Sequence, residues 1–348
     1  MTDGDKKDKA PEGLSLEERL AAEQADEPAE GQPDDRGPGV AAPGGATGAQ
    51  IAGAVGDAPM HQASLWGDAW RQLRKSPLFI IPMVFLAIFT VMAIAPGLFT
   101  SQDPKACNVR NNIVDGELLI RGPVDQHPFG FDVQGCDYYS RVIYGTRVSL
   151  SIGLLTVFFS TLIAVSLGSI SGFYGGWIDG VVARFTDIIF AIPLVLGGII
   201  VLNSLGQRTL LTVSFALLIF IWPTTMRLMR SSVLSIKEMD YVQAARAMGA
   251  KDVRIMRKHI LPNGLAPVIV YSTITVGITI ATEATLTFLG VGLQLPAISW
   301  GLMISGAQFR ILEYPHLLFF PAIFLIVMVF SFILLGDALR DALDPRSR

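Results

Sequence analysis

After residue 77 the chain alternates long apolar runs with shorter polar intervals. The apolar runs fall at 78–99, 149–172, 185–203, 209–229, 265–289 and 317–336. Each is close to the ~20 residues that a helix needs to cross a hydrocarbon core. Pro82 and Pro96 make the ends of the first run irregular. Ahead of it Trp66, Trp70 and Leu73 recur at i, i+4 and i+7, with Arg71, Arg74 and Lys75 on the polar side. This pattern predicts an interfacial helix over 65–77, or equally a set of anchors flanking the first span. The expected fold is an all-α membrane protein whose permease-like body, 78–345, has six transmembrane helices. Its two long polar intervals are 100–144 and 230–264.

The second interval is organised more tightly than a connecting loop requires. Asp240 is placed to cap a helix whose third residue, Gln243, reaches back to the cap's own amide, a capping box. Gly249 suits the C-terminal stop of that helix. A second helix is expected from about Asp252, with Val253, Met256 and Ile260 on one side and Arg254, Arg257 and Lys258 elsewhere. Pro262 limits how far it can run. Two short helices joined at a glycine give a rigid knob, with an apolar ridge of Val242, Ala245 and Met248 and a basic flank. The alternative is a helical loop in which Gly249 is only a C-cap.

Composition and charge sharpen this picture. Of 348 residues 51% are hydrophobic and 16% charged, and the apolar residues come in blocks, as in a membrane protein. The net charge of −3 hides an asymmetry: residues 1–64 carry 13 acids against 5 bases, so the remainder is basic. That tail, rich in Gly, Pro, Ala and Gln, is expected to be disordered and cytosolic, with no cleaved signal peptide. With both termini in the cytosol, 15 Lys and Arg fall on the inside and seven on the outside. The positive-inside rule favours that topology. It puts 230–264 in the cytosol and 100–144 outside, with both cysteines, Cys107 and Cys136, in the outer segment. An oxidising compartment would pair them, worth about 3 to 4 kcal/mol on the chain-entropy account; two free thiols are the alternative.

Few charges enter the spans. Asp187 lies near the start of the third, and Glu283 sits well inside the fifth beside a hydroxyl series, Thr275, Thr279 and Thr282, at i, i+4 and i+7. These four could line the route of a polar cargo. Alternatively the hydroxyls bond their own helix and Glu283 holds a neighbouring one. Four histidines and two cysteines show no metal-ligand spacing. There is no phosphate-cradling Gly-x-x-x-x-Gly-Lys-Ser/Thr run, no Gly-x-Ser-x-Gly elbow and no His-Glu-x-x-His pair. The chain is therefore expected to be no enzyme, to bind no cofactor or metal, and to have no nucleic-acid partner.

Gln243-Ala244-Ala245 with Gly249, followed by His259-Ile-Leu-Pro262, resembles the EAA loop of bacterial ABC-importer permeases. Gln243 stands where Glu is usual and His259 where an aliphatic residue is usual. His127-Pro-Phe-Gly-Phe-Asp132, the stretch Gly135 to Leu150, Glu283 to Gly292, and Ser299-Trp-Gly301 resemble the C-type permeases for dipeptides and oligopeptides. One of these motifs usually has Arg at Cys136, and pairing with Cys107 accounts for that departure. The resemblance covers about residues 65 to 345.

It implies a type I ABC importer in a bacterial inner membrane. The expected partners are a second homologous permease, two ATPase subunits that carry ATP and Mg, an extracytoplasmic binding protein and the surrounding lipid. ATPase coupling falls on Asp240, Val242, Gln243, Ala244, Ala245, Met248, Gly249, Arg254, Arg257 and Pro262. The cargo would be peptides, with nickel or another small solute as the alternative. A stand-alone secondary transporter is a further alternative, but it would need its own ion-coupling residues. A scaffold that recruits a cytosolic protein without transport is the third.

Overall fold

The computed structural model describes residues 67, 70, 71, 73–114, 117, 118, 120 and 122–343. The acidic tail, Trp66 and the last five residues lie outside the described residues. Helix α1 (Pro77–Ile94) starts with a proline just after extended Ser76, where the missing N–H costs no helical bond. Helix α2 (Tyr138–Tyr174) begins well before the apolar run at 149. Asp137 explains this early start: its carboxylate accepts the Ser140 amide at 2.8 Å and the Ser140 hydroxyl at 2.6 Å, a strong N-cap.

The run 185–203 is not one straight span. It divides between α3 (Gly176–Phe190) and α4 (Leu194–Leu205), which bend by 88° across the break. Pro193 is the cause, since it has no N–H to donate and pushes Ile192 away from helical geometry. Helix α5 (Leu210–Lys237) is capped reciprocally by Thr209 and Thr212. After the short α6 (Asp240–Ala247) and α7 (Asp252–Ile255), a π turn at Met256–Ile260 leads into α8 (Leu261–Phe288). Helices α9 (Trp300–Ala307) and α10 (His316–Leu343) complete the order. Among the described residues five helices are long and apolar enough to cross a membrane, or six with the bent pair α3–α4 taken as one span. The all-helical, six-span fold holds. One two-residue antiparallel pair, β1 (Ile113–Val114) with β2 (Glu117–Leu118), is the only sheet among the described residues.

Close backbone approach draws α2 against α5. At Gly168 a Cβ would lie 2.6 Å from the Met226 carbonyl oxygen, and at Gly172, one turn on, 2.9 Å from that of Arg230. Small residues four apart let two helices meet at this distance. The polar ends of α3 and α5 are tied by Arg230, which donates to both Asp179 oxygens at 2.5 Å, and by Arg227 to Asp187 at 2.6 Å. Trp300 forms the second centre of packing. It is fully buried, its Nε1 donates to the Val142 carbonyl at 2.9 Å, and it meets Phe89 and Phe324 edge-on. Leu73 joins that same core, with Trp70 and Arg74 stacked in front of it.

The interval 100–144 is a built structure with few loose ends. A disulfide joins Cys107 to Cys136. Around it Asn111 Nδ2 donates to the Gly135 carbonyl at 2.9 Å and Asn112 Nδ2 to the Asp132 carbonyl at 2.7 Å. Gly135 must be glycine: its φ is +73°, and a Cβ would collide with the Asn108 carbonyl oxygen at 2.0 Å. Arg141 pairs with Asp132, and His127 Nδ1 bonds Asp137 Oδ1 at 2.8 Å, so these motif residues serve to hold the segment on α2. Alkylation followed by mass spectrometry is expected to label no cysteine without reductant and two with it. One or two labels in the unreduced protein would contradict the bond.

Candidate functional site

The polar elbow between α5 and α8 is where sequence and structure both concentrate unusual features. Helix α6 starts from Met239, whose backbone is extended, and Asp240 occupies the first helical position. There its carboxylate faces the positive end of the helix dipole. This corrects the expected capping box. The helix begins one residue earlier than a cap at Asp240 requires, and Gln243 donates instead to the Lys237 carbonyl at 3.0 Å, fastening α6 to the end of α5.

Gly249 closes α6 as expected. Its φ is +78°, its N–H bonds the Arg246 carbonyl at 3.0 Å, and the Ala250 N–H reaches back to Ala245 at 3.1 Å. Those two bonds are a complete Schellman motif. The chain then turns through extended Lys251 into α7.

Pro262 does not end the second helix, contrary to expectation. It lacks the N–H that would bond the carbonyl four residues back, and the preceding π turn absorbs the mismatch, with the Leu261 N–H bonding Met256 instead. The helical path then runs unbroken from Asp252 to Phe288. The wider turn also changes which side is inward. Ile255 and Ile260, five apart, are fully buried, whereas Val253 is 63% exposed.

The apolar ridge needs a similar correction. Val242 and Ala245 are buried, and Val242 packs in one cluster with Ile236, Ile255, Ile260, Val268 and Phe173, which roots the elbow on α5, α8 and α2. Met248 remains outward at 82% exposure, beside exposed Gln243, Ala244 and Tyr241. Arg246, Lys251, Arg254, Arg257 and Lys258 are exposed and form no ion pair among the described residues. Tyr241, Met248 and Val253 are thus exposed among five cations and the acids Glu238, Asp240 and Asp252, on a base packed against three long helices.

Comparison with known proteins matches residues 164–348 to the family described as binding-protein-dependent transport system inner membrane components. Residues 64–118 match the N-terminal transmembrane domain of oligopeptide transport permease C. The dipeptide transport system permease protein DppC of Alkalihalophilus pseudofirmus is 38% identical over 285 residues, covering 82% of this chain and 91% of the relative. The chain belongs to the dipeptide/oligopeptide permease family. The oligopeptide permease protein OppC of Bacillus subtilis is also 38% identical over the same shares. The glutathione permease protein GsiD of Pectobacterium atrosepticum is 34% identical over 281 residues, or 81% of this permease and 91% of the relative.

The hydroxyl series of α8 bonds its own helix, and Thr282 remains part-exposed. Thr275, Thr279 and Thr282 each donate to the carbonyl four residues back, at 2.7 to 2.8 Å. Thr275, Thr279 and Glu283 are buried within the permease's own fold. Glu283 Oε1 accepts from Thr287 at 2.8 Å, and the Thr287 oxygen accepts the Leu293 amide at 3.1 Å. This chain of bonds ties Leu293, in the segment after α8, to the end of that helix. Sequence reading had no signal for two other anchors. Arg147 donates to the Ala93 and Ile94 carbonyls at the end of α1, and Arg208 donates to Gly290 at 2.6 Å. Arginine at a helix C-terminus is the one general cue.

Proposed function

We propose that this permease forms half of the translocation path of an ATP-driven peptide importer and receives work from a separate ATPase subunit through the elbow at 240–260. The observation that carries this reading is the pairing of an outward apolar-cationic face with a base sunk among α2, α5 and α8. A partner that pulls on Met248 and Tyr241 displaces Val242 and Ile260, and hence the long helices, without first deforming the elbow. The basic surplus around residues 227–258 supports an inward orientation of this face and of both termini. The full assembly would include a second homologous permease, two ATPase chains holding ATP and Mg, and an extracytoplasmic binding protein. The names of the relatives favour dipeptides, oligopeptides or glutathione as cargo.

The test is uptake of a labelled peptide into proteoliposomes holding the complete assembly. Accumulation should require ATP and fall to background without the ATPase subunits; equal uptake without them would overturn the proposal. The basic flank gives a second expected result. Reversing Arg254 and Arg257 to Glu should weaken ATPase association strongly at low salt and less at high salt, because exposed charges are screened over about 10 Å at 0.1 M. Pull-down of the ATPase across a salt series measures this, and a deficit that does not change with salt would indicate lost packing instead.

A further inference from the structure

A groove of about 450 Å³ opens between α5, α8 and α10, lined by Leu228, Pro267, Val270, Ile274 and Leu343 with Arg340 among them. It is apolar apart from that guanidinium and the ring hydroxyl of Tyr271, which also lines it. Arg340 is exposed and makes no hydrogen bond or ion pair with any described residue. Asp337 and Asp341 share its helix but do not line the groove.

The depth of this groove can be read from its neighbours. Arg340 lies three residues before the end of α10, the last span, and with six spans that end falls on the same side of the bilayer as the start of α1. Beside Leu73, the Arg74 guanidinium lies 4.7 Å from the exposed Trp70 ring. An aromatic ring with a cation at the end of a spanning helix marks the membrane–water interface, the level of lipid phosphates. A cation at that level with no partner among the described residues, above a slot lined by aliphatic side chains, matches a lipid with an anionic head and a hydrocarbon tail.

We propose that this groove binds an anionic phospholipid, with an acyl chain along Val270 and Ile274 and the phosphate on Arg340. The site lies where α8 leaves the elbow, since Pro267 follows the π turn by less than two helical turns. Occupancy therefore stiffens the junction through which elbow movement enters α8. This inference concerns lipid and does not depend on which cargo is carried.

The experiment uses the full-length permease purified in detergent, exposed to equal amounts of phosphatidylglycerol and phosphatidylcholine, with bound lipid read by native mass spectrometry. Wild type should retain phosphatidylglycerol about five-fold or more over phosphatidylcholine, one cation's worth of attraction. Arg340→Gln should lose that preference, and Arg340→Lys should keep most of it. A photo-reactive residue at Ile274, in protein extracted from membranes, should yield lipid adducts. Equal phosphatidylglycerol retention by wild type and Arg340→Gln would overturn the proposal. So would cross-links from Ile274 to another protein chain, which would make the groove a subunit interface.

Discussion

Gly249→Val is expected to leave the permease inserted and assembled yet lower peptide uptake about tenfold or more. The cost arises entirely in the backbone. A Cβ at this position meets no atom within 4 Å, but φ is +78°, where an L-residue loses about 1–2 kcal/mol and a β-branched one more. Relief of that strain opens the Schellman turn, and α6 and α7 then lose their fixed relation. Gly249→Asn separates this account from a side-chain effect, because asparagine tolerates the left-handed region and should retain most uptake. ATP hydrolysis measured alongside uptake is expected to continue in the valine variant, so that the ratio of peptide moved to ATP consumed collapses. Normal uptake by Gly249→Val would reduce Gly249 to a simple helix end.

The second large effect is on folding. Gly168→Leu should prevent α2 and α5 from meeting, because its Cβ would sit 2.6 Å from the Met226 carbonyl oxygen and 2.9 Å from the Met229 Cβ. Backbone cannot swing aside as a side chain does, so the loss should reach the upper part of the about 1–3 kcal/mol usual for over-packing. A thermal melt followed by size-exclusion chromatography in detergent should show lower yield and an earlier transition. Gly180→Leu is the matched control: a Cβ there meets nothing within 4 Å, and its melt should stay near wild type. Equal melts for the two variants would contradict the packing described for α2 and α5.

Length and apolarity make most of the fold legible in the sequence. Helices α1, α5, α8 and α10 overlap the expected runs, because twenty apolar residues in a row have few other solutions. The failures have local causes. Pro193 sits inside an apolar run, so hydrophobicity alone could not separate a kinked span from the 88° bend at α3–α4. Helix α9 is eight residues long, too short to register as a span, although Trp300 is a centre of packing. The start of α2 is polar, so hydrophobicity gives no sign of it, and its one local cue is Asp137 ahead of Ser140.

At the elbow, the glycine stop was legible because positive φ leaves glycine as the usual choice. The inward face was not. A helical period of 3.6 places Val253 with Ile260, but a π turn puts Ile255 with Ile260, and only the missing N–H of Pro262 hinted at it. The hydroxyls of α8 illustrate another limit. A threonine series reads the same in sequence whether or not its hydroxyls bond their own helix, and here Thr275, Thr279 and Thr282 do so.

The central claim is that the elbow meets an ATPase subunit. The most direct measurement places a photo-reactive residue at Met248, which is 82% exposed, and irradiates the assembled complex in membranes. The account predicts a cross-link to the ATPase chain. An adduct only with the extracytoplasmic binding protein, or labelling of Met248→Cys by a membrane-impermeant thiol reagent added outside intact cells, would contradict it.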